Sequence, residues 1–202
     1  MGVDGTTISY NLFAYCKNNP IVGHDPSGTW DWGGVIAGLT LIVAGVVAIA
    51  TLPITAPVVV TSAIVVTTGI VTTQAAATDS AMVLDLSYSS QISPDTYTKA
   101  GVSVVIDFGQ DTAYAYPHVG VGKGRSSGIS YSVGRVANYE DPYDYAEWFV
   151  DVNAGLNMGM DHCWDPRVDH GTATKATAIT FGSGLNAGIG IDWYFAPIAL
   201  RE

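Results

Sequence analysis

Two short stretches concentrate side chains able to do chemistry. Asp161-His162-Cys163-Trp164-Asp165-Pro166-Arg167-Val168-Asp169-His170 brings carboxylates, imidazoles and a thiol into one run. These donor types bind Zn²⁺ and other divalent ions. Asp161, His162, Cys163, Asp165 and His170 are therefore candidate metal ligands, with a divalent metal the one candidate cofactor. Their spacing fits no regular zinc pattern, and Asp165-Pro166 is equally what an interstrand turn requires. The second stretch, Asn138 to Trp148, interleaves carboxylates with aromatic rings. Glu140 with Asp144, or Glu147 with Asp151, would make an acid/base pair if folding closed them into one cleft. Glu147, Asp151 and His162 are the candidate catalytic residues. The plainer alternative is a solvated loop whose rings cover one end of a sheet. Gly120-Val121-Gly122-Lys123-Gly124-Arg125 lacks P-loop spacing and reads as a β-turn, and no G-x-S-x-G elbow is present.

The elements that would position these residues have a period of two. Candidate strands run over 82–88, 101–108, 112–121, 128–137, 148–160, 174–181 and 185–195, with Gly-rich turns such as Gly109-Gln110-Asp111 and Gly182-Ser183-Gly184 between some of them. Ile129, Tyr131 and Val133 alternate with Ser130, Ser132 and Gly134, giving one bulky face and one small face. The pattern predicts an antiparallel β-sandwich or small barrel. Gly155, Gly159, Gly188 and Gly190 fall inside strands and suggest corners.

Ahead of this β-region, no residue from Trp32 to Thr78 is charged. Pro53 and Pro57 divide the stretch into two halves, each long enough as a helix to cross about 30 Å of hydrocarbon. The expectation is an α+β chain, in which an apolar helical hairpin over 31–78, a candidate membrane segment, precedes an all-β domain over 79–202. Runs such as Val58-Val59-Val60 suit buried strands as well.

The first 30 residues carry a distinct signal. NLFAYCKNNPIVGHDPSG resembles the end of the core of Rhs/YD-repeat proteins, through Asn11, Leu12, Tyr15, Asn18, Asn19, Pro20, Asp25, Pro26, Ser27 and Gly28. The resemblance implies a β-shell upstream, a junction near Gly28, and a variable toxin tip beyond it. Members often self-cleave at the junction through aspartates, which makes Asp25 the candidate here. This chain lacks the complete second D-P-x-G element. Gly2 to Tyr10 is polar and does not read as a secretory signal.

Charge narrows the function classes. Eight basic residues against 18 acidic ones give a net charge of -10, which argues against a nucleic-acid backbone as partner. The two cysteines, Cys16 and Cys163, read as free thiols. Together these observations predict the tip of a bacterial toxin that is secreted or cell-surface and membrane-associated, acting on or across a target membrane. An immunity protein is a further candidate partner. The alternatives are an enzymatic toxin domain in 79–202 delivered by the hairpin, or a non-catalytic binding module.

Overall fold

A computed structural model describes residues 32–51, 56–78, 80–169 and 171–201. Two helices, α1 (Trp32–Thr51) and α2 (Ala56–Ala77), precede seven strands. These are β1 (Ala81–Ser93), β2 (Thr96–Asp107), β3 (Thr112–Arg125), β4 (Gly128–Ala137), β5 (Glu147–Trp164), β6 (Lys175–Tyr194) and β7 (Ile198–Arg201). A short 3-10 helix, Pro142–Tyr145, opens with Asp141 accepting from Tyr143 N–H, while Asp144 caps in return.

All the ladders are antiparallel, in the order β5-β6-β4-β1-β2-β3-β7, and an additional β3–β6 ladder closes the sheet into a barrel. Closure forces a reversal. The β4 ladder uses residues 175–182 of β6 and the β3 ladder uses 187–194. Since β3 and β4 run in opposite directions, β6 must turn back on itself between them. β5 follows β6 along its length, with its own shift between Leu156 and Met158. At that corner Asn157 takes φ 60, and Gly155 and Gly159 approach so closely that neither has room for a Cβ. Tight turns (94–95, 126–127, Asn157) thus gather at one end of the barrel, and the longer loops (108–111, 138–146, 165–174) at the other.

The barrel half of the fold expectation fits. The helical half is corrected: among the described residues no helix is long and apolar enough to cross a membrane. The physical reason is visible along α2, where Thr68, Thr72 and Thr73 interrupt the apolar face and bond to backbone oxygens one turn back. The same helix is committed to the barrel wall. Val71 and Ala75 pack with Met82, Val133 and Phe181, and Thr68 Oγ1 lies 3.1 Å from Tyr131 OH. Against α1, Gly69 leaves no room for a Cβ beside Gly38 and Ile42. In place of a bilayer-crossing hairpin, the structure holds two helices attached to the barrel.

Candidate functional site

Alternation along the strands gives the barrel two walls of different chemistry. Outward positions run Met82, Leu84, Leu86, Tyr88 on β1, Val102, Val104, Ile106 on β2, and Val119, Val121 on β3. They continue with Ile129, Tyr131, Val133 on β4, Trp148, Val150, Val152, Leu156, Met158, Met160 on β5, and Ile179, Ile189, Ile191, Trp193 on β6. Many are strongly exposed, Leu156 at 68% and Ile129 at 62%. Each of the seven strands contributes at least one exposed large apolar side chain. Among the described residues no carboxylate stands at an outward position of these strands; Glu147, exposed at the first position of β5, shares the parity of Phe149 and Asp151. The wall's cations stand towards the ends: Lys123 and Arg125 beside the tight turns, Arg135 and Lys175 beside the long loops. Trp148 and Trp193 meet edge to face at 4.6 Å, also at the long-loop end.

The inner wall is the reverse. All the mid-strand aspartates point inward: Asp85, Asp151, Asp161 and Asp192. Lys99 Nζ sits 3.1 Å from Asp151 Oδ2 and 2.6 Å from Asp192 Oδ2, with all three side chains buried. Burial opposes the ammonium charge, but Asp151 and then Asp192 more than offset it and hold Lys99 well above the ordinary lysine range. Asn153 Nδ2 donates to Asp151 Oδ2 and to Tyr97 OH, each at 3.2 Å. Burial pushes the Asp161 carboxyl well up, and the Asp151 charge adds to the push. Burial would also raise Asp151, yet Lys99 draws it below the usual value. The opposed directions favour a proton on Asp161 over one on Asp151, and Asp151 Oδ1 and Asp161 Oδ1 are both buried with no other partner. A second node joins His118 Nε2 to Asp85 Oδ1 at 2.8 Å, with Ser103 Oγ donating to the same oxygen at 2.7 Å. Burial favours the neutral acid here too, but the His118 contact outweighs it and Asp85 is held low.

Small residues make room for this network. A Cβ on Gly120 would collide with the Asp192 carboxylate, and one on Gly122 with the Tyr97 ring. Nearer the long loops the interior turns aromatic: Tyr116, Tyr145, Phe149 and Tyr194 pack with Val83, Val105 and Val136 and stop that end. Burial is the main cause that pushes the Tyr139 phenol, bonded to Tyr116 OH, up to about 12.

The residues singled out in the sequence are dispersed. Asp161 to Trp164 lie on β5, where alternation sends Asp161 and Cys163 inward and His162 outward. Cys163 Sγ lies 3.8 Å from Tyr145 OH, and burial pushes its thiol far up. Asp165 binds the Arg167 side chain, which also reaches Glu147. Among the described residues no group of three or more His, Cys, Asp or Glu is placed to hold a metal ion. Of the catalytic candidates, Asp151 is in the lumen, Glu147 is exposed at the start of β5, and His162 Nδ1 meets Thr177 Oγ1 on the outer wall. Asp144 is spent on the amides of Glu140 and Asp141, so the Glu140/Asp144 pairing is a cap. Asp25 and His170 lie outside the described residues. Sequence reading missed Lys99, Asp85, Asp192 and His118 as one network. The available signal was parity, since each shares its face with nearby small residues: Ser87 and Ser89 for Asp85, Gly101 and Ser103 for Lys99, Gly120 and Gly122 for His118, Gly188 and Gly190 for Asp192.

These features define a class by geometry alone: a small antiparallel barrel with a charged interior and an uncharged apolar outer band. The chain matches no protein-family model, no curated protein and no solved structure.

Proposed function

We propose that residues 81–201 form a membrane-inserting β-barrel, and that the chain acts on a target membrane as the terminal part of a toxin-like secreted protein. One observation carries this reading: apolar side chains face outward on every strand while the mid-strand carboxylates face inward. In water that arrangement exposes what burial normally hides. In a bilayer it is the stable one, because spanning barrels present apolar residues to lipid and polar ones to the lumen. A protein partner would cover one side, as α2 covers the patch of Met82, Val133 and Phe181, whereas exposed apolar side chains remain on all seven strands. Length agrees. The 12 residues of β2, tilted by about 40°, rise about 30 Å, enough for an apolar band of about 25 Å. The β3–β6 ladder gives β1, β2, β3, β4 and β6 partners on both sides, as lipid demands, while β5 and β7 are each paired on one side. The Rhs-type junction stretch supports delivery as the tip of a longer protein. The dispersal of Glu147, Asp151 and His162 lends the enzymatic alternative no assembled acid/base pair.

Flotation with phosphatidylcholine vesicles tests the proposal. The chain should float with the lipid, resist alkaline carbonate extraction and keep its β-type circular dichroism. Because aromatic side chains plug the interior, a large entrapped dye should be retained. Recovery wholly in the aqueous fraction overturns the reading.

A further inference from the structure

We infer that the cleft beside the long-loop end of β4, β5 and β6 is a binding site for the phosphate headgroup of an anionic phospholipid. The inference rests on the membrane reading above and adds the lipid class.

A cavity of about 810 Å³ opens here, and Arg135, His162, Lys175 and Thr177 are among the residues lining it. The register builds the constellation. Arg135 and His162 both pair with Thr177, one on each side of it, while Lys175, one outward position further along β6, pairs with Trp164. Two cations, an imidazole and a hydroxyl therefore share one patch across three adjacent strands. His162 Nδ1 lies 2.8 Å from Thr177 Oγ1, and the His162 and Trp164 rings are 5.6 Å apart. The Arg135 guanidinium donates to two hydroxyls, Thr78 Oγ1 at 3.1 Å and Ser80 Oγ at 2.9 Å. No carboxylate among the described residues forms an ion pair with it. Of the acids that line the cleft, Asp107 is turned to the amides of Gly109 and Gln110, and Glu140 stands exposed on the rim.

Height on the barrel selects the ligand. The patch follows directly on the charge-free outer band, at the same end as the Trp148–Trp193 pair. Cations and tryptophans gather at this depth in membrane proteins, where phosphates meet hydrocarbon. Guanidinium donors match phosphate oxygens in pairs, with the ammonium as a point charge beside them. A free phosphate offers the same oxygens without the acyl chains that the adjoining apolar wall would cover.

The test compares flotation of the full chain with phosphatidylcholine vesicles and with vesicles containing phosphatidylglycerol, at matched ionic strength. Wild type should bind the anionic vesicles about 10- to 30-fold more tightly, as two interfacial cations permit. Arg135→Gln/Lys175→Gln should lose that preference while floating with phosphatidylcholine like wild type and melting at the same temperature. Retention of the full preference by the variant overturns the site, as does absence of preference in wild type. Competition by excess inorganic phosphate, with ionic strength held constant, overturns the lipid assignment. Failure of wild type to enter phosphatidylcholine vesicles at all is distinct, because it removes the membrane reading itself.

Discussion

Near its long loops the barrel interior holds Tyr116, Tyr145, Phe149 and Tyr194, packed like the core of a water-soluble domain. Towards the tight turns the inward positions hold Lys99, Asp151, Asn153 and Asp192, and the outward ones Val121, Ile129, Val152, Leu156, Ile189 and Ile191. The same strands, with the same alternation, thus hold an apolar interior at one end and a charged interior at the other, beneath one apolar outer wall. What differs is the surroundings each interior calls for. An interior of ion pairs is weak evidence for stability in water, because desolvation costs about as much as pairing returns. It makes sense where the outside is less polar than the inside.

Charging the outer wall should separate the halves most sharply. Val102 and Val119 lie mid-strand on β2 and β3, both outward and exposed. An arginine near the bilayer midplane costs about 2–4 kcal/mol, so Val102→Arg/Val119→Arg should reduce vesicle partitioning by at least about 10³-fold. In aqueous buffer the same surface changes should shift stability by no more than about 0.5 kcal/mol each. Phe149→Ala probes the opposite end and should remove about 3–5 kcal/mol of folding stability, read by urea denaturation. Lys99→Met strands two buried carboxylates and should cost about 3–5 kcal/mol. Adding Asp151→Asn and Asp192→Asn to it should recover most of that loss; no recovery would refute the pairing.

The smallest effect is one of sign. Asp85 and Asp151 are held below the ordinary aspartate value, so their contribution is complete above that value and lost as pH falls through their lowered folded pKa values. Asp161 is raised, so its contribution is complete below the ordinary value and lost as pH rises through its raised folded pKa. Asp161→Asn keeps a donor towards Asp151 and removes that loss. The variant should gain on wild type as pH rises from acid to neutral, and urea titrations across that range will show whether it does.

Much of the β-region was legible in the chain, because Gly-rich turns and a period of two mark strands directly. Ile129, Tyr131 and Val133 against Ser130, Ser132 and Gly134 were readable as two faces. Which face would turn inward was not, since alternation carries no sign and closure alone sets it. The reversal of β6 was read as a break between two strands around Gly182-Ser183-Gly184; β5 stays paired around the corner and keeps β6 continuous. The run from Asp161 suggested a ligand cluster because adjacency in sequence resembles adjacency in space, yet on a strand neighbours point apart. Helix formation in the uncharged stretch was legible. Its environment was not, because α2 faces a protein wall that only the folded β-region supplies.

The apolar outer wall of the barrel is tested most directly by the depth of Val102, mid-strand on β2. A fluorophore on Val102→Cys, with Cys16→Ser and Cys163 left buried, is compared in vesicles with one on Ser127→Cys at a tight turn. The Val102 probe should shift to the blue and be quenched by lipids brominated near the bilayer centre, while the Ser127 probe is quenched by aqueous iodide. Iodide quenching of both probes, with no effect of brominated lipid on either, would contradict a lipid-facing wall.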